Sequence, residues 1–425
     1  MNLWSDIDNT HQQPLPAPVQ GRARRLTEQA ILSSLRDWLL NDYAAAYCRS
    51  LGATRIFRRC YWVDALGLDT RATAVPHVPP AAEPQPARGR KKGATQVATP
   101  PALQPIVALS RALAQESQPV ALYGLILETG SSRRKEARGM SAAPQDAANI
   151  AIPLEGGIIR ANWLMAAPAL LKAIEPSPAI FLLNPFGYPI LSTGDLAALY
   201  QRTVPTELCL LIAHKQLEAR WLAALRTPEM AATLTGLLRT DRWKTISIRE
   251  EEREQAIDSL LGLFIAAMQR HFQFPIQRIP LLMQARPAVV ESVPYTLIFA
   301  TRRQDSLYSM NDALCLHRRC LYEQSYRGLL EEEWFQARQH ERHERELQQL
   351  YRRTRQQGQA RRIRRWPDLR QHMLLTSFGQ FTTRDYDSII YQLLLNKEVR
   401  CEWRRAPVEG DEPRLPGNDD ALLWQ

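Results

Sequence analysis

Four segments of this chain are apolar almost throughout, with no alternation of polar and apolar positions. They are Pro119 to Glu128 (PVALYGLILE), Ala179 to Asn184 (AIFLLN), Glu207 to Ala213 (ELCLLIA) and Tyr295 to Thr301 (YTLIFAT). Strands that bury both faces read this way, whereas strands with one wet face alternate. Helical patterns lie between them, at Trp163 to Ile174, Thr193 to Tyr200 and Glu250 to Phe272. Two further strands are expected at Phe57 to Leu66 and Asn149 to Leu154. Ahead of them, Leu26 to Leu51 reads as a helix, with Ile31, Leu32, Leu35, Trp38 and Leu39 on one face. The spacing predicts an α/β fold, a doubly wound, Rossmann-like, mostly parallel sheet covered on both faces.

Composition narrows the class. Hydrophobic residues make up 45% and charged residues 23% of 425, which excludes wholesale disorder and fits two or three globular domains. The 54 basic residues outnumber 44 acidic ones, for a net charge of +10, and all but seven of the 54 are Arg. Guanidinium groups suit bidentate phosphate contacts, so the excess fits a polyanionic partner such as DNA or RNA; solubility alone is the other reading. Six Cys are scattered without a CxxC pair, so no zinc site or other metal is expected. Several stand in apolar runs, as reduced core thiols in a reducing cytoplasm do. The N-terminus lacks a secretory pattern. The longest dense apolar run, Leu260 to Met268, is too short for a span of about 20 residues, and no membrane association is expected.

The chain divides into four stretches. Residues 1–25 read as a disordered tail. Residues 26–325 form the Rossmann-like domain, interrupted by a Pro-rich loop over 72–104 that carries seven Pro and a basic cluster at Arg88, Arg90, Lys91 and Lys92. Residues 326–366 make a charged helical connector, and Arg352, Arg353, Arg355, Arg361, Arg362, Arg364 and Arg365 follow one another there with no acid between them. Residues 367–425 read as helix, turn, helix and hairpin, a winged-helix-like α+β unit. Its second helix carries Arg384 but also Asp385 and Asp387, which argues against deep groove insertion of its first turn. The seven arginines are the better anchor for nucleic acid, with weak, sequence-tolerant binding expected.

In open α/β sheets, ligands bind beyond the carboxyl ends of the strands. Those ends offer Asp64 and Gly67, Glu128, Glu155 in IPLEGG, and Asn184-Pro185-Phe186-Gly187. Asp64, Gly67, Glu128 and Glu155 are the candidate cofactor contacts; strand-end capping is the alternative for Asp64 and Glu128. No GxGxxG and no P-loop occurs. His214 after the fifth strand faces the cleft or caps the next helix. His340 and His343 are spaced to hold a metal, but no third ligand is evident.

Asn184-Pro185-Phe186-Gly187 resembles the [DN]PP[YF] motif of amino-methyltransferases, in which the first residue and a carbonyl hold an exocyclic amine and the aromatic stacks on the base. That resemblance makes Asn184, Pro185 and Phe186 the candidate catalytic residues; a turn with Phe186 as core filler is the alternative. The ordered set Trp62-Val63-Asp64-Ala65-Leu66-Gly67, Gln104-Pro105-Ile106-Val107-Ala108-Leu109, Glu128, Asn184-Pro185-Phe186-Gly187, Tyr295 to Thr301 and Met310-Asn311-Asp312-Ala313 resembles the three-Cys-motif partner protein family, TcmP, over roughly residues 26 to 320. The resemblance implies a methyltransferase-type domain, S-adenosylmethionine as cofactor, and a three-Cys-motif, radical-SAM-like or phage-type protein partner. The sequence departs from the family at cofactor-facing positions: LDTR follows Gly67, Gly157 stands where an Asp is expected, and Asn184 replaces an Asp. Three readings follow. One is a methyltransferase acting on nucleic acid. Another is a catalytically degenerate nucleic-acid- or partner-binding module of a mobile-element or defence system. The last is an interaction protein whose charge serves solubility.

Overall fold

A computed structural model describes residues 27–67, 99–128, 150–187, 189–247, 249–286, 289–326, 332–404 and 414–425. The chain forms two compact units, one of Ser33–Leu281 and Pro294–Ala313, the other of Leu314–Gln425 together with Leu282–Val293 and the chain up to Leu32. The expected tail lies outside the described residues, as does nearly all of the Pro-rich stretch.

Helix α1 (Glu28–Trp38) comes first, and the first unit takes it up from Ser33, followed by a π-helical turn (Leu39–Ala44) and α2 (Ala45–Ala53). Strand β1 (Arg59–Asp64) follows, then α3 (Gln104–Leu113), β2 (Ala121–Leu127), β3 (Gly157–Ile159), α4 (Trp163–Ala173), β4 (Ala179–Leu183), α5 (Thr193–Tyr200) and β5 (Thr206–Ala213). Three helices come next, α6 (His214–Arg226), α7 (Pro228–Leu238) and α8 (Arg253–Gln269), before β6 (Gln277–Arg286), β7 (Val289–Ala300) and α9 (Gln304–Tyr326), which belongs to the second unit from Leu314 on. The seven strands form one sheet in the order β3-β2-β1-β4-β5-β7-β6. Neighbours from β3 to β5 pair parallel, and β7 runs antiparallel to β5.

The period of two along each strand sends alternate side chains to opposite faces. Tyr61, Val63, Leu125, Leu127, Phe181, Leu183, Leu208 and Leu210 pack with α4 to α8 in one buried cluster. On the opposite face the Tyr43 ring meets Phe299 edge-on, with centroids 5.4 Å apart. There α3 comes close to β2 because residue 124 is Gly: a Cβ would stand 2.6 Å from Ile106 Cδ1.

Three expectations need correction. The third strand is Gly157–Ile159 rather than Asn149–Leu154, so the segment IPLEGG leads into it instead of leaving it. The sequence reading has no strand at Gln277–Arg286; Pro280 interrupts the pattern, and β6 tolerates it as an edge strand. The helix expected over Leu26 to Leu51 runs from Glu28 and is broken in register by the π turn.

In the second unit, α10 (Glu332–Arg361), α11 (Trp366–Thr376) and α12 (Thr383–Leu395) precede a hairpin of β8 (Val399–Glu402) and β9 (Ala421–Trp424), paired antiparallel. Thr382 and Asp385 close a capping box at the start of α12. Leu350, Trp366, Leu369, Met373, Tyr386, Ile389, Ile390, Leu393 and Leu422 are buried. The segment that follows α10 is bonded to the hairpin. Leu422 N donates to Arg364 O at 2.6 Å, and Trp424 Nε1 donates to Ile363 O at 2.8 Å. Among the described residues no helix is long and apolar enough to cross a membrane.

Candidate functional site

The sheet reverses its winding between β1 and β4, and a crevice at the carboxyl edge of such a switch point is where ligands bind. Asp64 stands level with Ile126 of β2 and Leu182 of β4. Asp64, Gly67, Glu128 and Asn184 therefore share one edge of the sheet. Glu155 does not join them. It lies in an exposed turn before β3, level with the middle of β2: a Cβ on Gly156 would lie 3.2 Å from Gly124 O. The residue that follows β3 is Arg160, whose Nε is 3.8 Å from Glu128 Oε2. Glu128 itself is held by its backbone, N–H donating to Ile159 O at 2.8 Å, with its side chain 18% exposed.

Asp64 is 2% exposed. Arg36, from α1, donates Nε to Asp64 Oδ2 at 2.5 Å and Nη2 to Oδ1 at 3.2 Å, and the same Nη2 reaches Gly67 O at 3.0 Å. Leu66 N–H donates to Asp64 Oδ1 at 3.0 Å. Gly67 has φ +89°, a left-handed conformation that glycine adopts without strain. Among the described residues at the end of β1, a guanidinium–carboxylate pair stands beside Gly67. Nothing in the sequence singles out Arg36; its partner lies 28 residues on.

The turn after β4 is tied down on every side. Asn184 Oδ1 accepts from Phe186 N at 3.1 Å, and Nδ2 donates to Gln216 Oε1 at 2.7 Å. Arg220, also on α6, donates Nη2 to Gly187 O at 2.6 Å and Nε to Phe186 O at 3.4 Å. Phe186 is fully buried, its ring 5.2 Å from that of Phe264. The ring assigned to base stacking thus sits in the core. His214 opens α6 and its Nε2 is 2.8 Å from Thr296 Oγ1; burial holds its pKa below the usual imidazole value. Gln216 and Arg220 escaped notice in the sequence, where they are ordinary polar residues of an amphipathic helix.

All seven candidate arginines are exposed. Arg355 pairs with Glu398 at 3.2 Å and Arg365 with Asp368 at 3.7 Å. His340 pairs with Glu344 and His343 with Asp385, and among the described residues no three His, Cys, Asp or Glu gather into a metal-binding group. No family model matches the chain, and neither a curated protein nor a solved structure does.

Proposed function

We infer that the first unit is a methyltransferase-type domain that binds S-adenosylmethionine and acts on nucleic acid. The observation that carries this is the sheet. Its order 3-2-1-4-5-7-6 keeps the nucleotide-binding order 3-2-1-4-5 with its switch point between β1 and β4, and adds an antiparallel β7 before the last strand; the methyltransferase type is what the TcmP resemblance implies for such a sheet. The donor set at the carboxyl edge fits the cofactor. In this reading Glu128 accepts from the ribose hydroxyls. The Arg36 guanidinium, 24% exposed, would take the carboxylate of the amino-acid end, and the buried Asp64 holds that guanidinium in place. S-adenosylmethionine supplies an electrophilic methyl group when bound. The exposed arginines of the second unit support a nucleic-acid target, and a TcmP-like place beside a three-Cys-motif partner belongs to the same reading. Isothermal titration with S-adenosylmethionine and S-adenosylhomocysteine tests it. Saturable one-to-one heat that is lost in Glu128→Ala is the expected result; no heat with wild type overturns it.

A second reading has its own observation. Both amide atoms of Asn184, the ring of Phe186 and the carbonyls of Phe186 and Gly187 are all engaged inside the protein. A turn so occupied has no open group for a base amine, and favours a unit that binds without transferring methyl groups. Asn184→Ala separates the two. Loss of methyl transfer with cofactor affinity intact supports catalysis at Asn184; cofactor binding by wild type with no transfer to any nucleic acid supports the second reading.

A further inference from the structure

The second unit carries positive charge that its own acids do not neutralise. Along the first half of α10, cations and acids pair within the helix: His340 with Glu344, Arg342 with Glu346, Arg345 with Glu341. Beyond Leu350 this stops. Arg352, Arg353, Arg361, Arg362 and Arg364 are exposed, and among the described residues none has a carboxylate within ion-pair distance. The bonds of Leu422 and Trp424 to the Arg364 and Ile363 carbonyls fix the last three beside the β8–β9 hairpin. The hairpin is itself held at its neck, where the buried Asp420 accepts from Arg404 N at 3.0 Å and Gly417 N at 2.8 Å.

Helix α12 presents a complementary face. Tyr386, Ile389, Ile390 and Leu393 bury one side. Arg384, Ser388, Tyr391, Gln392 and Leu395 fall at i, i+4, i+7, i+8 and i+11 on the other, and Arg384, Gln392 and Leu395 are exposed. Asp385 and Asp387 flank this stripe, and both are drawn inward. Asp385 Oδ2 accepts from Thr382 N at 2.7 Å and from Arg319 Nη2 at 3.3 Å, while His343 lies 3.5 Å from Oδ1. Asp387 Oδ1 accepts from Arg370 Nη1 at 2.7 Å and Trp366 Nε1 at 3.1 Å. The charges that argued in the sequence against groove insertion are neutralised inside the unit.

The form of nucleic acid follows from what the surface lacks. Single strands are held by exposed aromatic platforms. Among the residues from 314 to 425 whose side chains are described, no Phe, Tyr or Trp is exposed. A-form RNA has a major groove too deep and narrow for side chains to read, whereas that of B-DNA, about 12 Å wide, admits a helix. We propose that this unit docks on duplex DNA, with Arg352, Arg353, Arg361, Arg362 and Arg364 on phosphates and the Arg384–Gln392 face of α12 in the major groove. The proposal deepens the nucleic-acid-directed reading and does not depend on the cofactor.

The test is fluorescence anisotropy of the full chain with a short labelled DNA duplex, its single strand, and duplex RNA of the same sequence, each over a range of salt. Duplex DNA binds tightest. Five phosphate contacts give a log–log salt slope of magnitude about 4.5. Arg361→Ala with Arg362→Ala and Arg364→Ala lowers that slope by up to about 2.7 and affinity at low salt at least about tenfold. Arg384→Ala with Gln392→Ala weakens duplex binding while leaving the slope at about 4.5, because neither residue is counted on a phosphate. Circular dichroism melts verify folding, and single Arg361→Gln and Arg364→Gln variants stand in if the triple variant unfolds. Equal or tighter binding to single strands or duplex RNA overturns the proposal. So does wild-type affinity and slope in the arginine variants. So does binding to phosphatidylserine vesicles by a chain that does not bind the duplex. Titration with S-adenosylhomocysteine is read separately, so loss of either result leaves the other standing.

Discussion

Glu207 lies fully buried near the amino end of β5, where the apolar run Leu208 to Ala213 after it made it look like the start of an ordinary core strand. Its carboxyl accepts from Tyr43 Oη at 3.2 Å and Ser306 Oγ at 3.1 Å. Burial pushes its pKa from 4.5 up to about 7, and hydrogen bonds from Thr301, Ser306 and Tyr43 restrain the rise. The sign of the consequence is fixed. Between pH 4.5 and 7 the folded chain keeps a proton that the unfolded chain has released. Stability from that proton is fully present below the unfolded value and is lost as pH rises through about 7. At roughly 1.4 kcal/mol per tenfold change in proton affinity, the loss is on the order of 3 kcal/mol. Glu207→Gln therefore flattens the stability profile: denaturation midpoints match wild type near pH 4.5 and exceed it above pH 8. A variant that falls in step with wild type over that range removes Glu207 as the titrating group. Arg36 gives a second prediction at this scale. Arg36→Met leaves Asp64 buried without its cation and costs about 2–4 kcal/mol, less than a wholly buried pair because Arg36 is 24% exposed. Arg36→Met with Asp64→Leu recovers most of that loss in urea denaturation; simple addition of the two single losses contradicts the coupling. Asp64 was legible in the sequence because a strand-end acid is conspicuous. Arg36 and Glu207 were not, since each takes its role from residues distant along the chain.

Elements were legible where a local rule decides them. Apolar runs without alternation located β2, β4 and β5, and the Thr cap with its apolar spacing located α12. β3 was misplaced because three residues are too few for any pattern, and because the preceding Ile150 and Ile152 also pack on the core. The π turn at Leu39–Ala44 was invisible because one inserted residue shifts the helical phase without altering composition. Gly358 shows tertiary packing overriding local preference. It lies inside α10, where Ala is favoured over Gly by about 1 kcal/mol. Its missing Cβ is what lets the Trp424 ring lie against the helix while Nε1 donates to Ile363 O. Gly358→Ala is expected to destabilise the second unit by about 1–3 kcal/mol, since an added methyl displaces the ring and breaks that bond. Thermal melts followed by tryptophan fluorescence measure it; a rise in the midpoint would mean that propensity, not packing, governs the site.

On the scale of the whole molecule, the sequence showed alternation of strands and helices but not the spatial order of the strands. Order arises from crossovers that no local pattern records, and β7 between β5 and β6 is the clearest case. The same holds for the seven arginines. Their clustering was plain in the sequence, but their attachment to the hairpin depends on hydrogen bonds between residues far apart along the chain, among them Leu422 N to Arg364 O, Trp424 Nε1 to Ile363 O and Arg365 Nε to Asn418 O. The two ligand assignments fall on different units and can be read in one experiment. Hydrogen exchange of the full chain with saturating S-adenosylhomocysteine is expected to slow amides at the carboxyl edge, over Trp62–Gly67, Ile126–Glu128 and Leu183–Gly187. The amides of α11 and α12 should remain as in the free chain. Duplex DNA should do the reverse, slowing α12 and the Arg361–Arg365 segment. A ligand at a hundredfold excess over its Kd adds about 2.7 kcal/mol to the opening free energy, so roughly a hundredfold slowing is the scale to expect in segments that open only by global unfolding. Cofactor protection that falls instead around Tyr43, Glu207 and Ser306, at the amino end of β5, would place the site on the wrong edge of the sheet. DNA protection that spreads over Trp62–Gly67 but spares α12 would move the nucleic-acid surface to the first unit, and the arginines of α10 would then be surface charge alone.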